Sequence, residues 1–233
     1  MRTRRARLSS LYIGLSKCLL HAAGYGPRAV SLAALGGRQA GDFATELREV
    51  LVQCTMSSMP RSLASGPQVH LHRPTENDAP EYVDAVLASR EVHEPWVSPP
   101  ASHAAFTAYL DRLREPTHTG FFVRAEGRLV GVININNIVM GAFRSGHLGY
   151  FAFSGGEGRG CMLAGLRLVV DCAFGELGLH RLEANIQPGN VRSIALVRRL
   201  GFVKEGLSRR YLFIAGEWRD HERWAITAED WEL

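Results

Sequence analysis

Four glycines crowd the stretch Gly155-Gly156-Glu157-Gly158-Arg159-Gly160, between an apolar run, Leu148 to Phe153, and a helical pattern. A helix start leaves backbone N–H groups unpaired and partially positive, and glycine lets a ligand approach that backbone closely. The chemistry this suits is phosphate or pyrophosphate binding; an ordinary strand-to-helix corner uses the same residues, so both readings stand. Cys161 follows at the helix start, where a thiol is acidified. No His/Asn partner pattern accompanies it, so packing is its expected role. Asn190 and Ser193 have the spacing of an N-cap and a first-turn helix residue. Glu183 lies in a short strand pattern, and Asp220-His221 in a terminal hairpin.

The elements that must position these groups follow from periodicity. Val69 to Arg73 alternates as a strand, Ala79 to Ser89 and His103 to Arg114 read as helices, and the proline-rich Val92 to Pro100 between them reads as an irregular loop. Trp96 in that loop either lines an acceptor site or caps the core. Gly120 to Ala125 and Arg128 to Val139 form a hairpin turning at Glu126-Gly127, followed by the strand His147 to Phe153. A helix with apolar residues from Met162 to Leu177 ends at Gly178, and His180 to Ile186 returns as a strand, making one parallel βαβ unit. A helix over Val191 to Leu200 and a long hairpin, Phe202 to Ile214 and Glu217 to Thr227, complete the order β α α β β β α β α β β. A dinucleotide fold would place the glycine loop early, with an acid at the end of the next strand. Here the loop comes late, occurs once, and Glu183 is mid-strand, which argues against it.

Charge divides the 233 residues into two parts. Residues 1 to 64 hold nine Arg/Lys against three acids, a net +6, and the remainder 18 bases against 20 acids, a net −2. The basic character therefore belongs to the first segment, and the rest carries no field suited to nucleic acid. Residues 1–65 read as an N-terminal extension, with Met59 as an alternative start. A targeting segment, an appended disordered piece and an upstream translation start all fit it. No stretch reaches membrane-spanning length. Four scattered cysteines and nine scattered histidines show no metal spacing, and a reducing, cytoplasmic compartment is the expectation.

The strand LGYFAF, the glycine loop, CAFGELGLHRLEANI, and Asn190-x-x-Ser193 followed by Arg199-Leu200-Gly201-Phe202 resemble the Gcn5-related N-acetyltransferases (GNAT). More narrowly, LGLHRLEANIQPGNVRSI and GFVKEGLSRRYLFIAGEWRDH resemble the ribosomal-protein N-terminal alanine acetyltransferases, the likeness covering about residues 68 to 228. The resemblance implies an α/β domain over residues 66–233, with a mixed, mostly antiparallel sheet, a splayed parallel strand pair and flanking helices. It implies acetyl-coenzyme A as co-substrate, its pyrophosphate on Gly156, Glu157, Gly158, Arg159, Gly160 and Cys161. Its pantetheine arm would lie along the backbone of Phe151, Ala152 and Phe153, with Asn190 and Ser193 beside it. The usual first residue of the loop motif is Gln or Arg, and here it is Gly155.

The implied reaction is direct attack of a primary amine on the thioester. It needs a neutral amine, a donor for the developing oxyanion and a proton source for the thiolate. Many relatives place tyrosine seven residues after the motif's asparagine; that position is Val197, so Ser193 is expected to serve as acid, with unaided departure of the thiolate as the alternative. Glu183 is expected to serve as base, with a surface strand glutamate and a water chain as the alternative. Asp220 and His221 either position the acceptor or satisfy the sheet edge. The implied acceptor is a protein N-terminus, possibly of a ribosomal protein, with a small amine, a lysine, or a non-catalytic coenzyme A module as alternatives. No metal, nucleic acid or membrane partner is expected, and the chain is expected to be a monomer or dimer.

Overall fold

The computed structural model describes residues 67–231. The expectations for the N-terminal extension lie outside the described residues. Seven strands form one sheet: β1 (Val69–His72), β2 (Thr119–Ala125), β3 (Arg128–Val139), β4 (Ser145–Ala152), β5 (Arg181–Ile186), β6 (Val203–Ile214) and β7 (Glu217–Thr227). Their spatial order is β1-β2-β3-β4-β5-β7-β6, and every adjacent pair is antiparallel except β4 and β5. This is the GNAT fold inferred above, a mixed sheet with flanking helices.

The helices are α1 (Ala79–Ala88), α2 (Arg90–His93), α3 (His103–Leu113), α4 (Cys161–Gly175), α5 (Val191–Arg199) and α6 (Ala228–Trp231). The short α2 and α6 were not expected from periodicity, because four residues are too few to display it. One apolar core lies under α4 and α5, built from Val123, Ile133, Leu166, Val169 and Leu182 among others. Gly165 lets α4 approach the sheet, since a Cβ there would sit 3.0 Å from both methyls of Val123. A second core joins α1 and α3 to the sheet through Tyr82, Phe106, Tyr109, Phe122 and Phe153. Tyr82 stacks on Phe122 with centroids 5.5 Å apart. Truncating a fully buried ring such as Phe106 or Phe122 to alanine costs about 3–5 kcal/mol.

The feature that makes room for chemistry is the parallel pair. The register β4 to β5 runs from Ser145↔Arg181 to Leu148↔Ala184 and stops. Beyond it β4 stays with β3, through Gly131↔Ala152, while β5 stays with β7, through Ile186↔Glu222. Each strand keeps its outer neighbour, so a gap opens between them from Gly149 onward.

Candidate active site

A cavity of about 1100 Å³ occupies that gap. Six consecutive residues of β4, His147 to Ala152, line it. Successive strand residues point to opposite faces, so the cavity reaches both sides of the sheet. The glycine loop closes one end with Gly156, Glu157, Gly158 and Gly160. Asn190, Arg192, Ser193 and Arg199 of α5 form one wall, and Tyr211, Leu212, Ile214 and His221 of the last hairpin form another.

The loop owes its shape to left-handed backbone. Gly155, Gly158 and Gly160 have φ of 87°, 74° and 78°, a region in which L-residues are strained. Gly160 is the N-cap of α4 and contributes no side chain, so the first amides of α4 are left for another partner. A Cβ at Gly155 or Gly158 would meet nothing within 4 Å, which leaves the loop backbone open. Glu157 lines the cavity while its carboxylate accepts from the Gly155 amide at 2.8 Å. Cys161 is buried in the core under α4 and also borders the cavity, in keeping with packing.

Two expected loop and strand contacts are corrected. Arg159 does not line the cavity; its guanidinium pairs with Glu126, which raises its pKa and draws it to the other side of the loop. Phe153 is buried in the second core, and its amide donates to Val130 O at 2.9 Å. Strand alternation then turns the backbone of Phe151 toward β3 as well, and that of Tyr150 and Ala152 toward the gap. Phe151 lines the cavity through its remaining atoms. The Ala152 carbonyl accepts from Nε2 of the buried His93 at 2.9 Å, whose pKa burial lowers.

On α5, Asn190 is the N-cap, its Oδ1 accepting from the Ser193 amide at 3.1 Å. This fixes the first turn and holds the Ser193 side chain toward β4. There the Tyr150 hydroxyl meets Ser193 Oγ at 2.6 Å. Burial pushes the Tyr150 phenol up to about 12, with the Ser193 hydrogen bond pulling the other way, so it stays protonated at neutral pH. Tyr150 was missed in the sequence, although it lies two residues from Leu148 and alternation places both on the face toward α5. Val197 is fully buried in the core and does not line the cavity.

Glu183 is also corrected. It does not border the cavity: its carboxylate accepts from Arg181 Nε at 2.9 Å and lies 3.6 Å from His147 Nε2. Arg181 extends the network to Glu205, donating from Nη1 at 2.9 Å. Pairing on the β5 surface binds this acid, as a surface strand glutamate would be. Trp96 lines the cavity and packs over Gly189, where a Cβ would stand 3.2 Å from its ring. Asp220 turns away, accepting from the Arg210 amide at 2.7 Å, whereas His221 borders the cavity. No group of three or more metal-ligating side chains occurs among the described residues. No helix among them is long and apolar enough to cross a membrane.

The sheet order, the gap between parallel strands and the glycine loop at a helix start define an acyl-coenzyme A transferase architecture. The profile of the acetyltransferase (GNAT) domain matches residues 68–203, and this chain is an N-acetyltransferase of the GNAT family. Among its relatives, the probable N-acetyltransferase YjcK of Bacillus subtilis is 41% identical over 126 residues, covering 53% of this chain and 70% of that protein. The ribosomal protein uS5-alanine N-acetyltransferase of Escherichia coli is 40% identical over 112 residues, 48% of this chain and 58% of that protein, so the chain spans just over half of it. Among solved structures, Mycobacterium smegmatis RimJ in complex with CoA-disulfide superposes with a TM-score of 0.67 at 32% identity, covering 71% of this chain and 84% of that one.

Proposed function

We propose that the protein transfers acetyl from acetyl-coenzyme A to the α-amine of a protein N-terminus, by direct attack in a ternary complex. The observation that carries this is the cavity between β4 and β5, with a glycine loop at one end and the Ser193–Tyr150 hydroxyl pair inside it. The residues present fit the co-substrate. The free amides at the start of α4, with Gly156, Gly158 and Gly160, suit a pyrophosphate. Arg192 and Arg199 add cavity-lining positive charge. Between the strands, the gap-facing backbone of Tyr150 and Ala152 suits the amides of an extended arm, as an added strand would.

When bound, the co-substrate supplies an activated acyl carbon; this chain's residues orient it and manage protons. Tyr150 keeps its proton and donates to Ser193 Oγ, which frees the serine hydrogen for the departing sulfur. Asn190 fixes the turn from which Ser193 projects. The acceptor enters beside Trp96, Asn136 and the last hairpin.

Cavity charge favours a single amine over a polyamine. Two carboxylates, Glu91 and Glu157, line it together with Arg192 and Arg199, and Glu157 is engaged with the loop, so the described residues offer no acidic track for several ammonium groups. The names of the uS5-alanine and RimJ relatives support a protein N-terminus, a ribosomal protein among the possible acceptors. The experiment is thiol release from acetyl-coenzyme A with short peptides beginning in Ala, Ser or Met, set against polyamines and peptides with a blocked N-terminus and free lysine. Turnover confined to free N-termini supports the reading; turnover confined to polyamines or lysine overturns it.

A further inference from the structure

Glu183 leaves the reaction without a group to take the amine's proton, and of the three histidines that line the cavity His93 is already committed, its Nε2 donating to the Ala152 carbonyl. His147 is closed to an incoming amine: Nε2 faces Glu183 at 3.6 Å, and Nδ1 is buried with no hydrogen-bond partner among the described residues. His221 differs. Its residue is only 2% exposed, it sits on β7 opposite Ser208 of β6, and it borders the cavity. Its Nδ1 lies 2.9 Å from the Arg219 carbonyl, an acceptor that cannot donate, so Nδ1 carries the proton. Nε2 is then the unprotonated nitrogen, and it has no partner among the described residues.

We propose that His221 Nε2 is the base that accepts the acceptor amine's proton, a role that rests on the transferase reading of the same cavity. The amine's lone pair forms the C–N bond while one N–H proton passes to Nε2. The electron pair of the C–S bond leaves on sulfur, which takes the Ser193 hydroxyl proton; Ser193 regains a proton from solvent, and the imidazolium returns its proton to solvent. Several surroundings keep the imidazole neutral between turnovers. Burial lowers its pKa below the ordinary imidazole value, and the Arg219 carbonyl and the Asp220 charge oppose this to a lesser degree. From β6 the Tyr211 ring faces it at 6.0 Å, also lining the cavity. A modest base suffices for an α-amine, whose ordinary pKa of about 7.7–8.0 leaves roughly a tenth of it neutral at pH 7.

The test separates a base from a residue that only pins the hairpin. His221→Asn keeps an amide N–H where Nδ1 stands, so the bond to the Arg219 carbonyl can persist, but it removes Nε2. With a peptide N-terminus that the wild type acetylates, the expected result is a fall in kcat of about 10²-fold. Affinity for acetyl-coenzyme A, measured by calorimetry, stays within about twofold of wild type, and so does the KM for the peptide. The wild-type kcat profile is expected to show an acid limb placed below the ordinary imidazole range, and the residual activity of His221→Asn to lack it. His221→Gln, with a longer side chain at the same place, is expected to fall equally. Wild-type turnover in His221→Asn, or an acid limb unchanged in both variants, overturns the proposal. Absence of thiol release from the wild type with every amine overturns the transferase reading instead, which keeps the two failures distinct.

Discussion

Replacing Tyr150 with phenylalanine removes one oxygen, the hydroxyl 2.6 Å from Ser193 Oγ, and leaves the partly buried ring in place. Burial holds this phenol protonated, so it is able to donate as a neutral group to the serine oxygen. A neutral hydrogen bond contributes about 0.5–1.5 kcal/mol net. If that bond orients Ser193 toward the departing sulfur, its loss converts to about a twofold to tenfold fall in kcat, at about 1.36 kcal/mol per decade. Ser193→Ala removes the donor to the developing charge itself and is expected to cost more, on the order of 10²-fold. The assay is thiol release at saturating acetyl-coenzyme A and peptide, for both single variants and the double variant. Because Tyr150 acts through Ser193, the double variant should match Ser193→Ala alone. Multiplying defects would show that the two hydroxyls act separately, and full activity in Ser193→Ala would refute the reasoning at its root.

Other perturbations read other parts of the structure. Arg159→Ala should change the KM for acetyl-coenzyme A by less than about threefold, a modest effect in line with a solvent-facing ion pair; a large rise in KM would return this arginine to the binding site. Gly160→Ala places a side chain at φ 78°, which costs about 1–2 kcal/mol in the left-handed region. Its nearest neighbour is Pro67 Cδ at 3.7 Å, so the loss should come from backbone strain, read as a lower urea midpoint together with weaker cofactor binding. Burial raises the pKa of Tyr82, Tyr109 and Tyr150 in the folded state. Their contribution to stability is therefore complete below about pH 10, the unfolded value, and is lost as pH rises through the folded values. Urea midpoints measured from pH 9 to 12 should fall steadily, and a flat profile would contradict the burial of these phenols.

The helices, the strands and the single parallel crossover were legible because each repeats its period over enough residues to be read. The glycine loop was legible because positive φ leaves few alternatives to glycine. Short α2 escaped, being one turn of helix before a proline-rich loop. What one chain could not reveal was direction. Arg159 stands beside the loop in sequence, yet the opposite turn at Glu126 captures it. Glu183 has the right strand but the wrong neighbour: Arg181, two residues away on the same face, takes its carboxylate. Tyr150 and His221 were present in quoted motifs. Their roles depend on contacts across 43 residues in one case, and on a backbone carbonyl two residues away in the other. No periodicity encodes either contact.

The most direct measurement incubates the protein with acetyl-coenzyme A and a peptide carrying both an N-terminal alanine and an internal lysine, then maps the product by fragment-ion mass spectrometry. The expected product carries one acetyl group, on the alanine α-amine, formed together with one equivalent of free thiol. Acetylation of the lysine alone, or an unmodified peptide in the presence of bound acetyl-coenzyme A, would contradict the proposed acceptor.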